Sequence, residues 1–219
     1  MRLTCAIVVS AALGTSCAPH YAVPVDRAIR PAVDVAPFQR VFVAGFVAGG
    51  STEIDASAET VQLLRSELRS QSRLAVIDSD PIALTDADVV SDVEYWRSIG
   101  EERQAPLIVT GTATFQPVMR SRTALQVGEL TSSSLRRREL PTRVYLQQQG
   151  YQLRLTLVCI DGRTGAMLRS DTMQEEILYG ADQHVSALAG YFDLMNRVLP
   201  NALATLADSH IQGTRVLLK

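Results

Sequence analysis

The stretch VCIDGRTGAML, residues 158–168, has the residue types and spacing closest to those of a ligand-binding loop. A phosphate-binding loop places glycines between a strand and the amino end of a helix, where bare amide groups hold the anion. The residues after Gly165 are typical of a second strand, so that helix is missing. Asp161, Gly162, Thr164 and Gly165 are residue types that suit tight turns. The stretch therefore predicts a hairpin turn.

Two other patterns could support catalysis or metal binding. A serine-histidine-aspartate triad could use only His184 or His210, and no serine lies in the G-x-S-x-G pattern that exposes a nucleophile. The acidic stretch at residues 78–92 lacks the central glycine and the closing glutamate of a calcium loop, and turns and helix caps account for its aspartates. We therefore expect no catalytic residue, no metal site and no cofactor, and the chain is predicted not to be an enzyme.

The amino terminus carries targeting information. Residues 1–16 contain one positive charge, an apolar run and small residues, which indicates a secretory signal, because about twenty apolar residues are needed for a membrane span. The run leads into Cys17 and resembles a bacterial lipoprotein signal, in which cleavage leaves the cysteine as the lipidated first residue. Ala18 is not the aspartate of an inner-membrane retention signal, so the resemblance implies an outer-membrane anchor facing the periplasm. The alternative is cleavage nearby, which gives a soluble periplasmic or secreted protein with an idle Cys17.

Composition limits the class of protein further. The chain has 219 residues and a formal net charge of −2, so a general electrostatic attraction for nucleic acid is not supported. Once Cys5 is removed with the signal and Cys17 carries lipid, Cys159 is the only thiol left, so no intramolecular disulfide is expected. Cys159 lies in an apolar, strand-like run and is predicted to be a small core residue.

Apolar periodicity predicts one α/β domain over residues 38–219, joined to the lipid by a flexible, proline-rich tether over residues 17–37. Strands are expected at 40–46, 73–80, 106–115, 151–160, 166–178 and 211–218. Helices are expected at 56–72, in the second half of 84–104, and from 185 to 206, where Pro200 should bend the helix or divide it. The last strand is expected to rejoin the sheet.

Residues 117–149 interrupt this regular order. This insert contains six arginines, two glutamates and a serine run, so it is too polar for a core and too long for an ordinary loop. It is either a mobile excursion or a functional hairpin, and its charges disfavour a membrane-spanning hairpin. Guanidinium groups pair bidentately with phosphates, anionic sugars and lipid head groups, and the alternative is a solvated loop. The candidate anion or partner contacts are Arg120, Arg122, Arg136, Arg137, Arg138 and Arg143.

The series of a lipoprotein signal, alternating strands and helices, APLIVTGTATF, LRLTLVCIDGRTGAML and a terminal helix resembles the curli-secretion (CsgG-like) lipoprotein family. Relatives of that family include the TolB amino-terminal domain, a periplasmic activator of penicillin-binding proteins and an exopolysaccharide-export ring lipoprotein. The resemblance covers Arg40 to about Leu218. It implies an α/β (α+β) sandwich with a mixed, largely antiparallel sheet, two or three packed helices and no catalytic residues.

The resemblance also implies a function. We expect a non-enzymatic outer-membrane lipoprotein, facing the periplasm, that acts as a scaffold or accessory factor in envelope assembly, secretion or polysaccharide export, with a homo-oligomeric ring as one form. The expected partners are the membrane through the lipid anchor, other envelope proteins and further copies of the chain, with no nucleic acid. The alternative is a ligand-binding protein or a pore-forming component of a secretion channel that uses the 117–149 insert.

Overall fold

The computed structural model describes residues 20–29, 31–51, 53–126, 142–180, 183–207 and 209–218. Three helices, α1 (Ala56–Gln71), α2 (Val93–Glu102) and α3 (Ala187–Leu206), accompany a short 3-10 helix at Asp88–Ser91. The strands in chain order are β1 (His20–Ile29), β2 (Arg40–Gly50), β3 (Ala75–Val76), β4 (Leu107–Gln126), β5 (Thr142–Asp161), β6 (Met167–Leu178) and β7 (Ser209–Leu218).

Five of these strands form one mixed sheet in the order β3-β2-β4-β5-β6. The strands β3, β2 and β4 are parallel to one another, whereas β5 is antiparallel to both β4 and β6. Parallel neighbours need crossover connections, which α1 and α2 supply, and the antiparallel neighbours are joined by hairpins. The predicted α+β fold with a mixed sheet and two or three helices is confirmed.

One face of the sheet is covered by α1 and α3. The stripe of α1, with Val61, Leu64 and Leu68, is buried against β2 and β4, as its helical spacing predicts. The carboxylate of Asp55 accepts a hydrogen bond from the Ala58 amide at 3.0 Å and so caps the first turn of α1. Each fully buried leucine contributes about 1.5–3 kcal/mol of apolar burial, so this interface is a main source of stability.

The other face is apolar at one end and polar at the other. Trp96 of α2 is fully buried in a cluster with Phe42 and Ile108, and its indole nitrogen donates to the Val89 carbonyl at 2.8 Å. Beyond this cluster the strands carry polar side chains, including a hydrogen bond between the Thr156 and Thr172 hydroxyls at 3.1 Å. The alternation of polar and apolar residues along β5 therefore reflects one face that is packed and one that is open.

The sequence predicts that Pro200 bends the helix or divides it, and the division is wrong, because α3 is continuous from Ala187 to Leu206. Proline removes the amide that would bond to the Asn196 carbonyl, but both residues lie on the exposed side, where water can satisfy that carbonyl. The neighbouring Leu199 and Leu203 are buried in the core and hold both halves of the helix against the sheet. The burial of these leucines therefore outweighs the helical hydrogen bond that Pro200 removes.

A second compact unit is a two-stranded sheet of β1 and β7, separate from the larger unit Ile29–Ser209. The expectation that the last strand rejoins the main sheet is wrong, because β7 pairs with β1. The strand β1 also lies within residues 17–37, where the sequence predicts a flexible tether. The pairing of β1 with β7 is not visible in local periodicity, because strand partners are set by contacts distant in sequence.

Among the described helices, none combines the length and the apolar character needed to cross a membrane.

Candidate functional site

The DGRTG segment forms the turn between β5 and β6, which pair in antiparallel register. The Asp161 carbonyl accepts hydrogen bonds from the amides of Thr164 at 3.2 Å and Gly165 at 2.8 Å, and the Asp161 amide donates to the Ala166 carbonyl at 2.9 Å. Gly165 has a φ of +72°, a conformation that favours glycine. The amides of Thr164 and Gly165, which a phosphate would need, are therefore already bonded within the turn.

The turn also packs closely against its surroundings. An ideal Cβ on Gly162 would lie 2.4 Å from the Pro106 carbonyl oxygen, and one on Gly165 would lie 2.0 Å from the Val93 carbonyl oxygen at the start of α2. The Gly162 amide donates to the same Pro106 carbonyl at 3.0 Å. The glycines therefore allow backbone to approach backbone, which leaves no space for a ligand over the turn on this side.

On its other side the turn borders a cavity of about 280 Å³. The Arg163 guanidinium pairs with the Asp161 carboxylate through two hydrogen bonds of 3.1 and 3.0 Å and lies 5.3 Å from the centre of the Phe38 ring. Burial acts to raise the pKa of Asp161, but the hydrogen bonds from Arg163 outweigh it and hold that pKa below its usual value. In this cavity the charges of Arg163 and Asp161 therefore compensate each other, and the apolar side chains of Phe38 and Leu168 lie beside them.

The arms of the arginine-rich insert are strands. The strands β4 and β5 stay paired from Gln116↔Gln152 to Gln126↔Thr142. Pairing of β4 with β2 ends at Phe115, and pairing of β5 with β6 ends at Gly150. We call residues 116–126 and 142–149 the ribbon, since neither arm has a described strand partner outside β4 and β5. At about 3.4 Å per residue, the β4 arm extends roughly 37 Å beyond the end of its pairing with β2, and the β5 arm roughly 27 Å beyond the end of its pairing with β6.

Three of the six predicted arginine contacts, Arg120, Arg122 and Arg143, lie on this ribbon. The Arg120 guanidinium makes a bidentate pair with the Glu176 carboxylate of β6, with hydrogen bonds of 3.0 and 2.7 Å. This pairing raises the pKa of Arg120 and lowers that of Glu176. Arg122 and Arg143 lie in β4 and β5, where the structure describes the backbone. Arg136, Arg137 and Arg138 lie outside the described residues.

One edge of the ribbon is interrupted by Pro117. The carbonyl of Phe115 accepts a hydrogen bond from the Ser51 amide at 2.6 Å, so the backbone groups of Phe115 face the β2 side. Because successive residues of a strand point their backbone groups to alternate sides, Pro117 faces this same side, beyond the end of β2. Proline has no amide to donate, so it weakens this edge as a template for another strand.

Other candidate chemical groups are placed as follows. Cys159 is fully buried, and burial raises its pKa to about 12, so its thiol is protonated at neutral pH. His184 is exposed in the segment before α3, and His210 lies in β7. In the part of the chain that the structure describes, no group of three or more His, Cys, Asp and Glu side chains is arranged to hold a metal ion. Cys17 lies outside the described residues.

The sequence did not single out the outer edge of β6. Among the described strands, β6 is the last in the sheet and has a partner on only one side. It runs for 12 residues without proline or lysine, two residue types that commonly protect an edge. Local sequence indicates a strand here, but strand order decides which strand is exposed at the edge, and order depends on distant contacts.

No protein-family model matches the sequence, and no curated protein matches it. Several solved structures are similar. The PelC dodecamer from Paraburkholderia phytofirmans has a TM-score of 0.43 and 14% identity, covering 84% of this chain and 98% of that one. Lipoprotein GNA1162 from Neisseria meningitidis has a TM-score of 0.39 and 11% identity, covering 75% and 97%. A putative neuraminyllactose-binding hemagglutinin homolog from Helicobacter pylori has a TM-score of 0.32 and 11% identity, covering 77% and 83%.

Without a matching family model, the resemblance to the curli-secretion family stays a prediction.

Proposed function

We propose that this chain is a non-enzymatic lipoprotein of the bacterial outer membrane, facing the periplasm, that acts as a scaffold or accessory factor in envelope assembly, secretion or polysaccharide export. It works by contact with envelope proteins and with further copies of itself, in a homo-oligomeric ring. The ribbon is the observation that carries this proposal, because it is a long two-stranded element whose outer sides have no strand partner in the described part of the chain.

The ribbon supports a contact function on physical grounds. Two-stranded ribbons are only marginally stable alone in water, because they bury little apolar surface. Exposed residues on it include Met119, which is 71% exposed. A partner that covers the ribbon would bury this side chain and supply hydrogen bonds to its edges. The ribbon is therefore better suited to contact another chain than to enclose a substrate.

The remaining reactive groups support the non-enzymatic part of the proposal. The Cys159 thiol is buried and protonated, and the amides of the turn around Asp161 already donate to oxygen atoms of the protein. The Asp161 carboxylate is occupied by Arg163, so it is poorly placed to accept a proton from a substrate.

Anchoring is tested first. Metabolic labelling with a radioactive fatty acid should label the chain, and Cys17→Ser should abolish the label and release the protein from the outer-membrane fraction. Cys5→Ser is the matched control, since that residue lies in the predicted signal and should leave labelling unchanged. Label that persists in Cys17→Ser would contradict the lipid anchor.

The ribbon is tested by shortening it. Residues 119–149 are replaced by Asn-Gly, so that Val118 and Gly150, which are opposite each other in the register, flank a two-residue hairpin turn. The detergent-extracted full-length protein should form a large oligomer, and the shortened variant should lose that oligomer while keeping its unfolding transition. A strictly monomeric full-length protein at all concentrations would refute the ring.

The alternative, a ligand-binding or pore-forming protein that uses the insert, makes a different prediction. Replacing Arg136, Arg137 and Arg138 with serine should abolish binding of an anionic polymer or conductance in a planar bilayer if that alternative holds. Unchanged oligomerisation in this triple variant, together with no anion binding by the original protein, supports the scaffold.

A further inference from the structure

The outer edge of β6 carries a regular set of backbone groups that make no hydrogen bond within the described part of the chain. The Tyr179 amide donates to the Gln149 carbonyl at 2.9 Å, and the Ile177 carbonyl oxygen lies against Gly150, so these odd-numbered residues face β5. Backbone groups point to alternate sides along a strand. The amides and carbonyls of the even-numbered residues from Ser170 to Leu178 therefore point away from β5, towards the open edge of β6. No hydrogen bond in the described part of the chain uses these outward amides or carbonyls.

We propose that β6 is a self-association edge, at which two copies of the chain pair their β6 strands antiparallel about a two-fold axis at Thr172. The two five-stranded sheets then become one continuous sheet. This interaction requires neither the lipid anchor nor the ribbon, so it stands apart from the proposed function. The partner is a second copy of the chain, because the charges along β6 are complementary to those of a second β6 that runs antiparallel to it.

The complementarity is specific to one register. With Thr172 opposite its own copy, Arg169 lies opposite Glu175 of the second copy, and Ser170 lies opposite the second copy's Gln174. The symmetry repeats both pairs, so the interface gains two opposite-charge pairs, two polar pairs and a central threonine pair. Opposite charges and paired threonines favour cross-strand contact, whereas like charges directly opposite disfavour it.

The neighbouring registers are excluded by like charges. Residues whose backbone groups point to the open edge are even-numbered, and they must pair with one another across the interface. The two-fold axis can therefore lie at any one residue of the strand, and alternative registers differ by steps of one residue in its position. A centre at Asp171 or at Glu175 places that carboxylate opposite itself, and a centre at Met173 places Asp171 opposite Glu175 twice. A centre at Gln174 has no like-charge pair but no opposite-charge pair either. A centre at Ser170 places Arg169 opposite Asp171, but the bulge at Leu168 limits that pairing to residues 169–171. Among the registers that pair five residues or more, only the Thr172 register gains from charge.

The local geometry fits this register. A bulge leaves Leu168 without a partner in β5, since Cys159 pairs with Arg169 and Ile160 pairs with Met167. The regular outer edge therefore begins at Arg169, the first residue of the proposed seven-residue pairing. The Arg169 guanidinium uses its Nε to donate to Asp171 at 2.5 Å, which leaves its two terminal nitrogens for a carboxylate of the second copy.

A charge exchange tests the inference. Sedimentation equilibrium of the full-length chain carrying Cys17→Ser, without lipid or detergent, should show a mass that doubles as concentration rises. Arg169→Glu and Glu175→Arg should each weaken the dimer at least tenfold, and the two together should restore it. A loss in both single variants that the double variant does not restore would overturn the register. A protein that is monomeric at every concentration would overturn the proposal.

A backbone substitution tests the edge independently of charge. Thr172→Pro removes an outward amide and leaves the ladder to β5 intact, so it should abolish the dimer. Thr172→Val loses the same hydroxyl but keeps the amide, and it should still dimerise. Equal dimerisation of the two variants, with equal unfolding midpoints, would overturn pairing through this edge. Large oligomers that neither substitution affects would also overturn it, while leaving the ring of the proposed function in place.

Cross-linking reads out the register directly. With the other cysteines replaced by serine, Thr172→Cys should be joined efficiently by a short thiol cross-linker, because the two-fold axis brings this position next to itself. Gln174→Cys should cross-link poorly, since its equivalent in the second copy lies four residues away along the strand. Preferred cross-linking of Gln174→Cys would refute the Thr172 register.

Discussion

Replacing Gly100 by alanine tests whether the close packing of the β5–β6 turn outweighs intrinsic helix propensity. Gly100 lies in the last turn of α2, where alanine would be favoured over glycine by about 1 kcal/mol. An ideal Cβ at this position, however, would lie 1.7 Å from the carbonyl oxygen of Gly162 in the turn. The two effects have opposite signs, so the sign of the change identifies which one dominates.

The magnitude follows from what must move. Real Cβ atoms essentially never come within 3.0 Å of such an atom, so the helix and the turn must separate by more than 1 Å. Neither partner is a side chain that can rotate away, and overpacking of this kind costs about 1–3 kcal/mol. The separation also strains the hydrogen bond of 3.0 Å from the Gly162 amide to the Pro106 carbonyl, worth about 1 kcal/mol. After the gain in propensity, we expect a net destabilisation of about 1–3 kcal/mol.

Equilibrium urea unfolding of the full-length chain measures this change as a shift in the midpoint. In thermal unfolding, a loss of 2 kcal/mol should lower Tm by roughly 4–8 °C for a chain of this size. Ser98→Ala is the matched control, because Ser98 is exposed on the same helix and its replacement reports propensity without the contact. If Gly100→Ala stabilises the protein as propensity alone predicts, the close approach of the turn to α2 is refuted.

Three further predictions concern the core and the turn. Tyr191→Phe removes a buried hydrogen bond of 2.7 Å to the Thr60 hydroxyl and should cost about 0.5–1.5 kcal/mol, because Thr60 keeps its bond to the Ala56 carbonyl. An unchanged urea midpoint would contradict this. With the pKa of Cys159 raised to about 12, iodoacetamide at pH 8 should modify a variant carrying only this cysteine far more slowly when folded than in urea, and equal rates would count against its burial. The pKa of Asp161 is lowered in the folded state, so its ion pair stabilises the protein above the unfolded pKa of about 4 and is lost as pH falls through the folded pKa. Asp161→Asn should therefore reduce the fall in the free energy of unfolding between neutral and acidic pH. An equally steep fall in this variant and in the original protein would refute the lowered pKa of Asp161.

The elements that bury one face were predictable from the sequence. The apolar stripe of α1 and the apolar runs of β2 and β4 can be recognised in the sequence, because burial selects apolar residues at the period of the helix or strand. The sequence left open whether the insert is a mobile excursion or a functional hairpin, because the ribbon has few partners and its residues are not selected by a core. The same reason explains β1, where a proline-containing stretch pairs with a strand nearly two hundred residues later in the chain.

The turn at Asp161 and Gly165 was accessible from the sequence because turn chemistry is local. The sequence could not show that Gly100 and Gly162 meet, since one lies in a helix and the other in a turn about sixty residues away. It also could not show that Arg120 pairs with Glu176, which depends on β4 and β6 lying on the two sides of β5. These contacts are set by strand order, and strand order is decided by the packing of the whole sheet.

Two open edges of the sheet, that of β4 beyond the end of β2 and that of β6, differ in how they are protected. Beyond the end of β2, the edge of β4 meets Pro117, which removes a donor where another strand would begin to pair. The edge of β6 has no proline, and its protection consists of the charges Arg169, Asp171, Glu175 and Glu176. A uniformly acidic edge would repel every copy of itself, but one arginine six residues from a glutamate favours one reversed register over the others that pair five residues or more. The arrangement of these charges therefore favours one partner, a second copy of the chain paired about Thr172. If the charges only protected the edge, combining Arg169→Glu with Glu175→Arg would not restore dimerisation.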